Sequence, residues 1–288
     1  MDWSQGAEMS LPMGFSLLRV TAVRRITPRL ARISFGGDLD GFRDVAPDQQ
    51  VKLFFAKPGQ AVPAPPPMPE DGDALRWYQA YLAMPDAERP WMRAYTVRRH
   101  DPRAGRIDID FVLHDHDGPA GTWAASARIG DLVGMVGPAP SHRRTAVEHD
   151  WQLLVGDETA LPAIAAILER LSPGDRAVAF VELADPAERQ VIDSAGDVDL
   201  RWIGRRPGAH GAALLDAVRA ATFPPGRVAP WIAGEASTVR AVRRHLVGER
   251  GVDRRSIAFT GYWRVDRSQD DPAPEEDPTD AEDRVARA

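Results

Sequence analysis

MRAYTVRRHDPRAGRIDIDFVLHDHDGPAGTWA, residues 92–124, decides how the rest of the chain is read. It opens as a strand carrying Arg93, Tyr95, Thr96 and Arg98, turns at Gly105 and returns as an alternating strand over 106–114. There Ile107, Ile109, Phe111 and Leu113 share one face and Asp108, Asp110 and Val112 the other, the period of two that a half-buried strand shows. The stretch ends in Gly118-Pro119-Ala120-Gly121, a loop opening a helix that carries Trp123 and Ala124. Polar side chains on a strand, beside backbone N–H groups at a helix start, form a surface with room for a phosphate. A long ligand with a flat ring, a hydroxylated linker and a pyrophosphate fits it. Flavin adenine dinucleotide has those parts.

Working outward, residues 14–36 read as two β segments joined near Pro28, with Val20, Val23, Ile26, Leu30, Ile33 and Phe35 apolar. Residues 50–56 form a short strand in which Lys52 alternates with Val51 and Leu53, so by residue type Lys52 reads as solvated. Residues 58–73, PGQAVPAPPPMPEDGD, carry too many prolines for a helix or central strand and read as an extended, mobile surface excursion. A short helix is expected over 77–84, the one helix of this half before the loop at Gly118, and a last strand over 131–137. Short strands between turns call for an antiparallel barrel spanning 14–148.

The pattern changes at His149-Asp150. WQLLVGDETALPAIAAILERL reads as a buried strand, a turn and a helix with Leu161, Ile164, Ile167, Leu168 and Leu171 at helical spacing. RAVAFVELA, DLRWIG, VAPWIAGE and SIAFTGYWR then alternate with a helix-like DPAERQVI and helices over 209–221 and 237–248. That alternation implies a parallel α/β sheet covered on both faces over 149–265. Such sheets bind ligands at the carboxyl ends of their strands, here Gly156 to Thr159, Glu182, Gly204, Gly234-Glu235 and Tyr262-Trp263. The turn GDETALP lacks the G-x-G-x-x-G spacing of a dinucleotide fingerprint. Residues 266–288 are acidic, proline-interrupted and poor in apolar residues, a tail expected to be disordered.

At 288 residues, 43 % apolar and 27 % charged, the chain has material for two soluble domains. No run approaches eighteen apolar residues and the start MDWSQGAEMS is no signal peptide, so no membrane span is expected and the location reads as cytoplasmic. A net charge of -6 disfavours a nucleic-acid partner. With no cysteine, disulfides, iron-sulfur clusters and thiolate chemistry are excluded, so electron transfer would need an organic cofactor or an outside metal. His114 and His116 would share a strand face, but zinc needs a third ligand that nothing supplies; a solvated turn is the reading, with no metal assigned.

A barrel followed by a parallel α/β half is the order of the ferredoxin-reductase superfamily, and within it the chain resembles the siderophore-interacting proteins, flavin-containing ferric-siderophore reductases. The resemblance rests on Arg93-Ala94-Tyr95-Thr96-Val97-Arg98, Asp110 to His114, Gly118-Pro119-Ala120 with Trp123-Ala124, Gly156 to Pro162 and Gly261-Tyr262-Trp263-Arg264, in the family's order. It implies FAD on the barrel, with Arg93 and Tyr95 at the ribityl-phosphate side and Thr96 with the Val97 backbone at the isoalloxazine edge. Arg98, His114 and Trp123 belong to the same set, and Gly118, Ala120, Gly121 and Thr122 bring backbone N–H groups to the pyrophosphate. Gly121 stands where the family usually has serine.

For the second half the resemblance implies NADH or NADPH near Asp157, Glu158, Thr159, Gly234 and Glu235. The bland reading of the first three is ordinary helix capping. Glu182 could accept ribose hydroxyls and favour NADH, while Arg205 and Arg206 could hold the 2′-phosphate of NADPH. Tyr262 and Trp263 would stack on flavin, and Lys52, Arg264 and Arg143 would attract the iron substrate. The implied activity is NAD(P)H-driven, FAD-dependent reduction of a ferric siderophore, with a ferredoxin-type protein as a further candidate donor, in a monomer. Ala139 and Pro140 replace the family's usual Arg-Gly, so two alternatives stay open. One is a flavin reductase serving another acceptor, the other a redox-inert module that binds the iron complex.

Overall fold

Alternating strands close first. In the computed structural model, which describes residues 14–113, 118–138 and 148–267, β1 (Phe15–Thr27), β2 (Leu30–Gly37), β3 (Gln50–Phe55), β4 (Trp91–Asp101), β5 (Arg106–Val112) and β6 (Leu132–Val136) form an antiparallel barrel. Its order is β1-β2-β5-β4-β3-β6, with β6 returning to pair with β1, so no sheet edge is left exposed. One side of the alternation fills the interior: Val51, Leu53, Phe55, Val97, Ile107, Ile109 and Phe111 are all buried there. Val23 is an exception to the expected apolar face. It is 41 % exposed, on the part of β1 beyond its last core residue, Val20.

Two helices accompany these strands, α1 (Ala74–Ala83) and α2 (Pro119–Ser126), in the two places where helices were expected, over 77–84 and after Gly118-Pro119. The first begins earlier than its apolar pattern because Asp73 caps it, its carboxylate accepting from the N–H groups of Leu75 and Arg76 at 3.0 Å. Trp77 and Tyr81, one turn apart, then pack on Phe54 outside the barrel. Trp77 Nε1 donates to the Pro66 carbonyl and Tyr81 Oη to that of Pro90, each at 2.8 Å. The proline-rich excursion is thus fastened to α1 at Pro66, with Met68 against the same cluster.

Buried runs alternating with helices give the second half its parallel sheet. β7 (Trp151–Asp157), β8 (Arg176–Leu183), β9 (Asp197–Gly204), β10 (Val228–Glu235) and β11 (Ala258–Trp263) lie in the order β11-β10-β7-β8-β9. Chain order reverses about β7, placing the crevice for a ligand outside the carboxyl ends of β7 and β10. The helices are α3 (Leu161–Leu168), α4 (Ala212–Ala220) and α5 (Ala236–Gly248), and the expected helix at DPAERQVI is only a 3-10 turn, Pro186–Glu188. Gly211 holds α4's start in the left-handed region at φ 74°, where an added Cβ would collide with Thr238.

All eight residues of α3 are buried, as a helix apolar on every side must be. It lies between its own sheet and β4 of the barrel. Arg98 of β4 clasps Glu169 at the end of α3, with Nη1 donating to Oε2 at 2.7 Å and Nη2 to Oε1. Elsewhere along the seam, Trp231 Nε1 donates to Asp48 at 3.0 Å, and Glu188 accepts from Thr27 Oγ1 and the Arg29 N–H. Arg98→Met is expected to lower stability by about 1–2 kcal/mol, since Glu169 is partly solvated and can rehydrate. Urea unfolding checks this, and an unchanged midpoint would remove Arg98 from the seam's stabilisation.

Candidate functional site

The barrel's outer face meets the sheet where β3 and β4 run side by side. Val51, Leu53 and Phe55 fill the interior, so Gln50, Lys52 and Phe54 point outward, opposite Thr96, Ala94 and Met92 of β4. Tyr262 from β11 reaches Gln50 and Thr96 across the seam. Burial, with the Asp48 charge beside it, pushes the Tyr262 phenol well above its ordinary range, although those two hydrogen bonds oppose the shift. Lys52 stands one outward position further along β3. It is only 9 % exposed, contrary to the solvated reading, because its neighbours Phe54 and Val136 belong to the cluster beneath α1. Burial, with the Arg93 charge adding to it, lowers the Lys52 ammonium to about 8.

On the other face of β4, Tyr95 packs its ring on Phe111 at 4.4 Å, and burial pushes its phenol well above the ordinary value. Arg93 lies on the same face, half-buried, with Nη1 donating to the Met92 carbonyl at 2.9 Å. The Val97 side chain is core, and its N–H donates to the Gln49 carbonyl at 3.0 Å, leaving only its carbonyl for the role the resemblance gave its backbone. Arg98, expected in the cofactor set, has its guanidinium on Glu169 in the seam.

Helix α2 begins at Gly118, which offers no capping side chain, and Pro119 brings no N–H. An added Cβ at Gly118 or Gly121 would meet nothing within 4 Å. Among the described residues, the helix start is therefore uncapped and open, and the Ala120 and Gly121 N–H groups can receive an anion. Its seat is fixed by Trp123, whose ring lies 6.2 Å from Phe35 and 5.1 Å from Phe55, packing on the barrel core. Trp123 thus positions the nest through the core. His114 and Arg143 fall outside the described residues, as do Ala139 and Pro140.

At the sheet's switch point one buried carboxylate ties the strand ends together. Asp157 accepts from Thr159 N–H at 2.9 Å and Thr159 Oγ1 at 2.5 Å, from Glu235 N–H at 2.9 Å and from Trp263 Nε1 at 2.8 Å. Gly234, at φ 134°, leaves it space, since a Cβ there would stand 2.5 Å from Asp157 Oδ2. Asp157 is thus a structural hub, and its Trp263 partner also sets its ring edge to His210 at 5.2 Å. Glu235 caps α5. Burial would raise its carboxyl, but hydrogen bonds from Ser237 and Thr238 hold it below the usual value.

The two candidate nucleotide determinants are engaged with one another. Arg205 Nε donates to Glu182 at 3.1 Å and Nη2 to Glu158, while Arg206 pairs with Asp216 at 2.8 Å. Burial raises the Glu158 carboxyl despite Arg205. Arg264, half-buried, follows β11 in a tight bridge with Arg267. Sequence reading missed Asp48 and Gln50, which only the seam marks as part of the site. Among the described residues no three acidic or imidazole groups gather to hold a metal, and no helix is long and apolar enough to cross a membrane.

Comparison with known proteins adds to this geometry. Residues 19–142 match the siderophore-interacting FAD-binding domain and residues 149–266 the siderophore-interacting protein model. The NADPH-dependent ferric-chelate reductase of Escherichia coli is 31 % identical over 256 residues, covering 87 % of this chain and 93 % of that protein. The ferric vibriobactin reductase ViuB of Vibrio cholerae is 29 % identical over 257 residues, covering 88 % of this chain and 91 % of that one. A crystal structure of a siderophore utilization protein from T. fusca aligns at a TM-score of 0.78 with 39 % identity, over 92 % of this chain and 98 % of that chain. With barrel and sheet matched in the same order and along nearly the whole of these relatives, the chain belongs to the siderophore-interacting protein family, built on the ferredoxin-reductase fold.

Proposed function

We propose that the chain is an FAD-dependent reductase of ferric siderophores supplied with electrons by a nicotinamide nucleotide. The observation that carries this reading is the convergence, on one barrel face, of Lys52 with Gln50 and Thr96, which meet Tyr262 of the sheet. The uncapped start of α2 lies on the same barrel and fits a pyrophosphate. Bound FAD would supply the conversion between a two-electron hydride donor and a one-electron iron acceptor. The protein's own residues hold and orient the partners. Ala120 and Gly121 would offer N–H donors to the pyrophosphate, Arg93 and Tyr95 would hold the ribityl-phosphate side, and Thr96 would reach the isoalloxazine edge. Tyr262 closes the seam against water, and Lys52 draws an anionic iron complex to this face. Iron released as Fe(II) binds hard oxygen ligands more weakly than Fe(III) does, which completes the turnover.

The visible spectrum of the FAD-supplemented protein tests the reading, followed without oxygen as NADH, NADPH and then a ferric siderophore are added. Bleaching by a nucleotide and recovery with the iron complex are expected; failure to bind added FAD would overturn it. A pH dependence follows from Lys52. Its ammonium, lowered to about 8, is charged at pH 7 and neutral above its transition, so the attraction is present at low pH and lost as pH rises through about 8. KM for an anionic ferric siderophore should rise roughly threefold to tenfold between pH 7 and pH 9, a change of about 1 kcal/mol in binding. Lys52→Arg, charged throughout, should flatten that rise, and Lys52→Glu should weaken turnover without removing FAD. A Lys52→Arg profile identical to the parent's would take Lys52 out of the substrate site.

A further inference from the structure

The carboxyl edge of β8 and β9, where an adenosine ribose would lie in this fold, carries an ion cluster with an excess of negative charge. Glu182 is 1 % exposed and its Oε2 accepts from Arg205 Nε at 3.1 Å and from the Gly211 N–H at 3.0 Å. Arg205 Nη2 turns to Glu158, itself buried. The Arg205 N–H is also fixed, donating to the Leu183 carbonyl at 2.9 Å, so the whole residue is anchored over the end of β8. Two carboxylates therefore share one guanidinium. Glu182 Oε1, buried, has no hydrogen-bond donor among the described residues. The second arginine, Arg206, faces away to Asp216, and the exposed His210 stands against Trp263.

The geometry points to a preference for NADH over NADPH, set by Glu182 and Glu158 through their hold on Arg205; this rests on the reading of the chain as a nucleotide-driven reductase. The two nucleotides differ at one group. NADH presents a ribose 2′-hydroxyl, which can donate to a carboxylate, and NADPH presents a 2′-phosphate, which is doubly charged and at neutral pH accepts. An edge with two carboxylates, one guanidinium and an acceptor short of a donor suits the hydroxyl. Arg205 already gives Nε and Nη2 to the two carboxylates, so a phosphate could take only its remaining N–H groups and would lie beside two like charges. The Escherichia coli relative, whose name makes it NADPH-dependent, would then differ from this chain at this edge.

The test has a binding arm and a rate arm, both on the full chain with FAD. In calorimetry, 5′-AMP and 2′,5′-ADP serve as probes of the adenosine half alone, and the parent protein is expected to bind 5′-AMP at least about tenfold more tightly. Anaerobic stopped-flow bleaching of the flavin should show the same order for NADH and NADPH. Glu182→Gln removes one of the two negative charges and loosens the hold on Arg205, so the preference should fall about tenfold or reverse. Glu158→Gln, on a separate strand end, should shift it the same way and serves if the first variant folds poorly. Equal or better binding of 2′,5′-ADP by the parent, or variants with an unchanged ratio, would overturn the inference. Bleaching by neither nucleotide would overturn it too. The iron step is separable, because dithionite-reduced protein reoxidised by a ferric siderophore leaves that half of the proposed function standing, and absence of reoxidation removes it.

Discussion

Gly121→Asp is expected to lower FAD affinity at least about 100-fold, a loss of roughly 3 kcal/mol, while the protein keeps its fold. The position sits in the first turn of α2, where, among the described residues, no side chain caps the helix and an added Cβ meets nothing within 4 Å. An aspartate there gains helix propensity over glycine and is favoured by the positive end of the helix, so folding should be unharmed or improved. The same carboxylate would take the N–H groups that a pyrophosphate needs and would repel it. Titrating FAD into the stripped variant and following flavin fluorescence reads the affinity, and a thermal unfolding curve checks the fold. Parent-like affinity in a folded variant would take the nest at Gly118 to Gly121 out of the cofactor site.

Asp157→Ala should be the most destabilising of the changes considered, at about 3–5 kcal/mol, the range for leaving buried partners of a charged group unpaired. Its carboxylate is 4 % exposed and joins the ends of β7, β10 and β11 through Thr159, Glu235 and Trp263. Deleting it strands a backbone N–H of β10, the indole N–H of β11 and the start of the turn into α3. Asp157→Asn keeps the volume and can keep the Glu235 and Trp263 bonds, but turns an amide N–H toward Thr159, so about half the loss is expected. Differential scanning calorimetry with barrel and sheet resolved should show the sheet transition falling and the barrel moving less. A loss under about 1 kcal/mol for the alanine variant would mean that the hub is dispensable.

Both changes concern residues that stand out in the sequence, but only one of them can be read from local sequence alone. Gly118 to Gly121 followed by Trp123 showed a helix opening on glycine, because a glycine-proline start is a local signal that needs no tertiary partner. Asp157, Glu158 and Thr159 were equally visible at a strand end, but whether a carboxylate there meets a ligand or its own backbone depends on what lies beside it. Gly234 and Trp263, distant in sequence, decide that for Asp157. Arg98 shows the same limit, since a strand arginine beside a cofactor motif turned to Glu169, and nothing local to β4 announces that partner.

Lys52 marks the division most clearly. Alternation in β3 correctly places it on the outer face of the barrel, because side-chain period is a property of the strand itself. Its burial is not a property of the strand: it comes from Val136 across the ladder and from α1, brought over Phe54 by the proline-rich excursion. By itself, then, the sequence determined the order of elements, the barrel before the parallel sheet, the strand ends able to carry a site and the residues that resemble a flavoprotein family. The tertiary structure alone decided which polar groups remain open to a ligand and which are held by other protein groups. The physical reason is that periodicity and turn chemistry act within a few residues, whereas desolvation, hydrogen-bond saturation and charge pairing depend on neighbours far along the chain.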